Sequence, residues 1–143
     1  MDKKTKENIR ERAREIVAAL QEKYGTDSSV PALENIVAEE LKIPCRGFSV
    51  YELFAPFCAF KDDKKTPIGL SYYNDASDTI SRYSLAHEIG HAFFGNCEDN
   101  EIAEYQADEF AKQITRISRQ KISMVVWVHS LKWVLFNLEK TVI

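Results

Sequence analysis

Two histidines and a glutamate stand together in the sequence His87-Glu88-Ile89-Gly90-His91, an HExxH motif. On a helix, residues four apart lie on one face one turn apart, so both imidazoles can bind one Zn²⁺ at roughly 2.0–2.1 Å. Glu88, one position along, can reach a water on that ion and take its proton. The motif predicts a catalytic zinc site. The competing hypothesis is an ordinary surface helix that carries the motif by chance.

A catalytic zinc needs a third protein ligand and one open position. The downstream side chains that can bind a metal are Cys97, Glu98, Asp99, Glu101, Glu104, Asp108 and Glu109. Glu104 and Asp108 share a helical face with two small alanines, which would let this helix pack closely on the HExxH helix. Glu104 can then bind the metal, and Asp108 can fix the tautomer of a ligand imidazole. We interpret Glu101 and Glu109 as solvated surface acids.

Cys97 offers a weaker alternative for the third ligand. It lies six residues after His91, where a metzincin places its third ligand. That pattern requires Gly at position 94, which is Phe here, so we interpret Cys97 as a small residue in a turn. Cys45 and Cys58 are interpreted as core residues. Three cysteines do not form a disulfide framework, which favours a reducing, cytoplasmic compartment.

Length and charge limit what else the chain can be. Its 143 residues, 45% of them hydrophobic, fit one domain over 1–143. Lys and Arg number 19 against 22 Asp and Glu, and the net charge of -3 offers no basic excess for direct binding of nucleic acid or an anionic membrane. The first sixteen residues, MDKKTKENIRERAREI, have no apolar core of the kind that a signal peptide needs.

Periodicity and turn residues predict the elements around the motif. An amphipathic helix should end at Gly25, and a second, with Pro31 in its first turn, should end at Pro44. Short strands are predicted within 46–60 and 66–74, including Ile68–Tyr73, with a turn over 61–65. Further helices should cover 79–94, 100–118 and 121–140. This order predicts an α+β fold with helices on one face of a small mixed sheet and the HExxH on a central helix.

The stretch Ile122–Leu138 is strongly apolar but too short for a membrane helix, and it contains Lys132. We predict a helix buried on several sides. The alternative is that the 122–142 helix docks a partner or a second copy of the chain through Trp127 and Trp133. The same stretch contains His129, one candidate donor to an oxyanion. The other candidates are Tyr72, Tyr73 and Tyr105, and the sequence does not choose among them.

Three segments resemble the ImmA/IrrE-type metallopeptidases of bacteria, phages and mobile elements, and together they cover most of the chain. EKYGTDSSVPALENIVAEELKI is similar to the family's N-terminal helical pair, and GLSYYNDASDTISRYSLAHEIGHAFFG to its strand and active-site helix. EYQADEFA resembles its Glu-x-x-Ala-Asn/Asp-x-Phe-Ala element and the ExxxD helix of gluzincins. One departure is that relatives continue with an apolar Leu-Leu-Met-Pro-like stretch, where this chain has KQITRIS at 112–118.

The resemblance implies a zincin-like fold with His87, His91 and Glu104 as Zn²⁺ ligands, Glu88 as general base and Asp108 as the hydrogen-bond partner of a ligand. It also implies cleavage of helix-turn-helix repressors, which would derepress phage, mobile-element or stress genes. We therefore expect a zinc metallo-endopeptidase that acts on a protein substrate. The competing class is a non-proteolytic antirepressor or toxin-like factor with a structural zinc, and an intact Glu88 argues against it.

Overall fold

The computed structural model describes residues 1–49, 52, 55–75, 77–96 and 100–122. The helices and strands are α1 Lys3–Tyr24, α2 Val30–Ile36, β1 Cys45–Phe48, β2 Cys58–Phe60, β3 Pro67–Tyr73, α3 Asp78–Phe94 and α4 Glu101–Thr115. A π-helical turn, Val37–Leu41, follows α2. Residues 119–122 are helical again, and the rest of the helix predicted over 121–140 lies outside the described residues.

The two N-terminal helices form where periodicity and turn residues predict. The side chain of Asp2 accepts a 2.7 Å hydrogen bond from the Thr5 amide, and α1 ends at Gly25 with φ 87°. The Ser29 side chain caps α2. The second helix was predicted to run to Pro44, but it ends earlier, because the Lys42 amide bonds the Val37 carbonyl at 2.7 Å and closes the π-helical turn.

A three-stranded mixed sheet follows, with the order β1-β3-β2. β1 is parallel to β3 and β2 is antiparallel to it, so Leu70 pairs with Cys45 on one side and Cys58 on the other. The predicted turn at 61–65 is present, and Asp63 accepts hydrogen bonds from the amides of Lys65 and Thr66. Cys45 and Cys58 are half-buried and pack at the edge of the core.

Helices build the core on the sheet. α3 packs on β3 and β2, α4 packs on α3, and α1 packs on α4. The largest fully buried side chains include Leu33, Leu85, Ile89 and Phe110, which come from α2, α3 and α4. The predicted α+β class is confirmed, with a small mixed sheet and the HExxH on α3, the helix between the sheet and α4.

α4 is shorter than predicted. It ends at Thr115, not at 118, because Arg116 takes a left-handed conformation with φ 60°. The Thr115 hydroxyl accepts a hydrogen bond from the Ile117 amide, which satisfies a donor just past the helix end.

Among the described residues, no helix is both long enough and apolar enough to cross a bilayer.

Candidate metal centre

Local sequence positions the histidines on α3. The Ser77 side chain caps the first turn through the Ile80 amide, and Gly95 ends the helix with φ 61°. Leu85, Ile89 and Ala92 form the buried stripe that their spacing predicts. His87 and His91 therefore occupy a neighbouring face, where their side chains are 14% and 10% exposed. The imidazoles are shielded but remain within reach of solvent.

α4 brings acids to this face. Asn100 caps the helix by accepting a 2.9 Å hydrogen bond from the Ala103 amide, which places Glu104 in the first turn. The helices run antiparallel, since His91 lies by Glu104, whereas Asp108, one turn further along α4, lies by His87, one turn back along α3.

The close approach of α4 depends on small residues, as the sequence predicts. A Cβ at Gly90 would lie 3.0 Å from the Ala107 Cα and 3.0 Å from the Phe110 Cβ, and 3.2 Å from the Ala107 carbonyl oxygen. Ala103, Ala107 and Ala111 are all fully buried. The helices thus meet backbone to backbone at the turn that carries the candidate metal ligands.

Three potential ligand groups form a tight triangle. The two histidine Nε2 atoms are 3.2 Å apart, and the Glu104 carboxylate lies against both, with Oε2 3.1 Å from His87 Nε2 and Oε1 3.3 Å from His91 Nε2. Ligands at roughly 2.0–2.1 Å from a tetrahedral ion are about 3.3 Å from one another. The triangle has the size of one face of such a tetrahedron, so these residues fit a small divalent cation.

Glu88 lies beside the same site. His87, Glu88 and His91 form a group whose ligand atoms all lie within 4.8 Å of one another and which could hold a metal ion. Of the two glutamates, Glu104 is the better third ligand, because its oxygens lie within 3.3 Å of both imidazoles. That leaves Glu88 adjacent to the metal position and free for another task.

Asp108 fixes the orientation of His87. Its Oδ1 lies 3.0 Å from His87 Nδ1. A carboxylate in this position assigns the proton to Nδ1, which leaves the Nε2 lone pair directed at the triangle. The Tyr83 hydroxyl donates to the same oxygen at 2.8 Å, and Arg119 Nη1 donates to Oδ2 at 2.7 Å.

Tyr83 and Arg119 are site residues that the sequence reasoning missed. Tyr83 stands four residues before His87, so helical spacing could have found it. Arg119 could not be found in that way. The left-handed Arg116 turns the chain back, Ile117 anchors it in the core, and Ser118 caps the next helical turn. Arg119 then reaches an acid eleven residues before it.

The protonation of the site follows from burial and from these contacts. Burial would lower the pKa of His87, but the hydrogen bond to Asp108 and the nearby carboxylates raise it overall. Burial and the charge of His87 lower the pKa of His91. Burial would raise the pKa of Asp108, yet the hydrogen bonds from His87 and Tyr83 hold it below its ordinary value. Asp108 is therefore a charged acceptor at neutral pH.

The pKa of Glu88 shifts in the opposite direction to that of Asp108. It is 6% exposed, and burial raises its pKa to about 7, despite the opposing effect of the charge on His87. A carboxyl group with a pKa near neutrality can both take and return a proton at pH 7.

The other candidate residues lie elsewhere. Glu101 is exposed near the terminal amino group. Glu109, predicted to be solvated, is instead buried, because α1 packs along α4 and covers residues that a lone helix would expose. Tyr72 belongs to the core, and the Tyr105 hydroxyl accepts a hydrogen bond from Arg10 of α1. The remaining predictions fall outside the described residues: those for Cys97, Glu98, Asp99 and His129, and for the 123–142 part of the apolar helix.

A cavity of about 480 Å³ opens between α1 and the end of α4, and none of the potential metal ligands lines it. It contains no acid and no histidine, the side chains that most often bind a metal ion with oxygen or nitrogen. The candidate metal ligands lie instead between α3 and α4.

Comparison of the chain with protein-family models, curated proteins and solved structures finds no significant match.

Proposed function

We propose that this chain is a zinc-dependent metallo-endopeptidase with a zincin-like fold, similar to the ImmA/IrrE-type enzymes. The observation that carries the proposal is the triangle of His87 Nε2, His91 Nε2 and the Glu104 carboxylate, with sides of 3.1–3.3 Å. Glu88 stands beside it and Asp108 orients one imidazole. A purely structural zinc site would have no need of a buried glutamate next to its ligands.

The donor set favours zinc among divalent cations. Two imidazoles and one carboxylate are the ligands of several catalytic zinc sites, whereas magnesium and calcium prefer oxygen donors. The Glu104 side chain is 46% exposed, so the triangle opens to solvent on that side. This leaves room for a substrate carbonyl and a water molecule, as a catalytic site requires.

When bound, zinc would supply Lewis acidity to polarise the scissile carbonyl and to make water more acidic. Glu88 takes the proton of the attacking water and later delivers it to the leaving amine. Its burial supports this role, because a carboxyl group with a pKa of about 7 carries a proton in either direction near neutral pH. Asp108 holds His87 in the tautomer that presents Nε2.

The proposed substrate class is a helix-turn-helix repressor, and its support is the resemblance of the sequence alone. The competing proposal is an antirepressor or toxin-like factor that binds such a partner without cutting it. Both need the partner to bind, and only the first needs Glu88 to move a proton.

The Glu88→Gln variant separates these two functions. It keeps the size of the side chain and removes the base, so we expect it to fold, to retain zinc and to capture a repressor without cleaving it. Loss of a general base lowers a rate by about 10²–10⁴, which a gel time course resolves. Purified helix-turn-helix repressor and labelled casein would be incubated with wild type, Glu88→Gln and chelator-treated wild type.

Glu101→Gln is the matched control, because Glu101 is an exposed acid outside the site and should leave cleavage unchanged. If Glu88→Gln relieves repression as well as wild type while the repressor stays intact, proteolysis is the wrong account and the protein acts by binding.

A further inference from the structure

The cavity between α1 and the end of α4 is a groove with a basic rim. On α1, Arg14, Val17, Ala18 and Gln21 share one helical face. The opposite wall is formed by residues 112–118, from the last turn of α4 and the reversal after it. Its volume of about 480 Å³ is in the range of sites that bind small ligands or a few residues of peptide.

The charge of the groove is opposite to that of the chain. Arg14, Lys112 and Arg116 line it and no acid does, although the whole chain has three more acids than bases. All three cationic side chains are exposed. Arg14 pairs with Glu11 on the same exposed helix face. Such a surface ion pair is weak and can be exchanged for a ligand carboxylate.

Within the described part of the chain, Lys112 and Arg116 form no ion pair with a carboxylate. Helix C-termini attract cations in general, which accounts for a single basic residue at the end of α4. It does not account for Arg14, which projects from the middle of α1 into the same groove.

The walls are tied together without a ligand. The Gln113 side chain donates a 3.1 Å hydrogen bond to the Arg10 carbonyl of α1, and Arg10 Nε donates to the Tyr105 hydroxyl at 3.2 Å. Val17 is buried in the floor, where it belongs to the core. A groove held in this way is preformed, so little ordering is needed when a ligand binds.

We propose that this groove binds a short acidic segment of a partner protein. Its carboxylates would pair with Arg14, Lys112 and Arg116, and an aliphatic side chain between them would contact Val17 and Ala18. The face from Arg14 to Gln21 rises about 10 Å, the length of about three extended residues.

A peptide fits better than a nucleic acid. Three cations over about 10 Å match a few carboxylates, whereas nucleic-acid sites carry an extended basic surface that follows the phosphate backbone. The remaining surface of this acidic chain would repel a long polyanion.

The test is fluorescence anisotropy with the labelled peptide Glu-Asp-Leu-Glu-Asp, measured on the full chain with and without zinc. The same peptide with Gln and Asn for its acids and a labelled single-stranded DNA are the comparison ligands. Of the three ligands, we expect only the acidic peptide to bind. Its affinity should be the same with and without zinc and should fall as the salt concentration rises. The peptide should shift the NMR methyl signals of Val17 and leave those of the fully buried Val37 in place.

Charge reversal locates the site. Arg14→Glu, Lys112→Glu and Arg116→Glu combined should weaken peptide binding at least about tenfold. Lys4→Glu, Arg12→Glu and Lys61→Glu combined change the net charge equally and lie outside the groove, so they should have little effect. If the groove triple variant fails to fold, the three Gln substitutions replace it.

The proposal is overturned if the acidic peptide does not bind, if both triple variants weaken binding equally, or if the DNA binds more tightly than the peptide. Because binding is read without cleavage and without metal, none of these outcomes bears on the metallopeptidase assignment.

Discussion

Asp108 orients one candidate metal ligand, His87, and is not itself a candidate ligand. Its two oxygens take three donors: the His87 imidazole and the Tyr83 hydroxyl on Oδ1, and Arg119 on Oδ2. A carboxylate held by three donors cannot rotate without breaking a hydrogen bond, so the His87 ring that it faces is also fixed. Outer partners of this kind set how well a ligand presents its lone pair.

We expect Asp108→Asn to lower zinc affinity by about 10–100-fold, because the amide loses both the charge and the fixed acceptor for His87 Nδ1. Competition with a chromogenic chelator measures the change. Asp78→Asn is the control, since Asp78 is an exposed acid in the first turn of α3. Equal losses in both variants would show that the effect is general charge and not the orientation of His87.

Glu88 predicts a pH dependence of stability in the metal-free protein. Its pKa is about 7 in the folded state against an ordinary 4.5, so between these values the folded state holds a proton that the unfolded state has released. The free energy of unfolding therefore falls as pH rises through this window, by up to about 3 kcal/mol.

Glu88→Gln removes this titration, and we expect its stability to fall less between pH 5 and pH 7.5 than that of wild type. The raised pKa of His87 acts in the same direction; its main cause, the hydrogen bond to Asp108, is kept in the variant, whereas the smaller contribution of the Glu88 charge is lost with the base. Urea unfolding with chelator present measures the difference. Identical pH slopes for the two proteins would contradict a raised pKa for Glu88.

At the scale of elements, the site is the meeting of two antiparallel helices. α3 supplies His87 and His91, and α4 supplies Glu104 and Asp108 with the same spacing of four. One turn of each helix thus faces one turn of the other. The separation is set by Gly90 against Ala107, where no additional methyl group fits without a shift.

Gly90→Ala tests this dependence. Overpacking costs about 1–3 kcal/mol, and the better helix propensity of alanine returns at most about 1 kcal/mol. We expect a net loss of stability together with weaker zinc binding, because the shift carries Glu104 and Asp108 away from the imidazoles. Thermal unfolding and zinc titration measure the two effects.

Gly69→Ala in β3 is the control, since the added Cβ would lie at an ordinary 3.6 Å from the Pro44 carbonyl oxygen. Zinc affinity that survives Gly90→Ala unchanged would mean that the helices tolerate a wider separation than the triangle of donors implies.

At the scale of the whole molecule, a bound metal would link α4 to α3, the helix that packs on the sheet. α1 in turn packs on α4, so the layers follow one another outward from the sheet. A cation bound by ligands from two layers stabilises the folded chain by mass action, because the unfolded chain does not hold those ligands together.

We expect zinc at 100 times its Kd to add about 2.7 kcal/mol and raise the melting temperature by about 5–10 °C. Glu104→Ala should abolish this rise and lose zinc on gel filtration. Glu101→Ala, in the same helical turn, should keep both the rise in melting temperature and the bound zinc. Cys97→Ser should keep them as well. Retention of zinc by Glu104→Ala and its loss by Cys97→Ser would reverse the assignment of the third ligand.

The sequence by itself determined what lies within a few turns of one helix. The spacing of His87 and His91, the buried stripe beside them and the close packing of α4 through small alanines are confirmed as packing features. Gly25 predicted where α1 ends, because a glycine acts on neighbouring backbone groups, and the predicted range of 79–94 matches α3 closely.

Tertiary structure alone decided which distant groups meet. Arg119 reaches Asp108 only because the left-handed Arg116 ends α4 early and turns the chain back. Glu109 is buried because α1 covers α4, and the basic groove exists because the two helices lie side by side. Residues that meet in this way stand at no regular spacing in the sequence, so periodicity gives no sign of their contact. The path of the chain between them decides whether they meet.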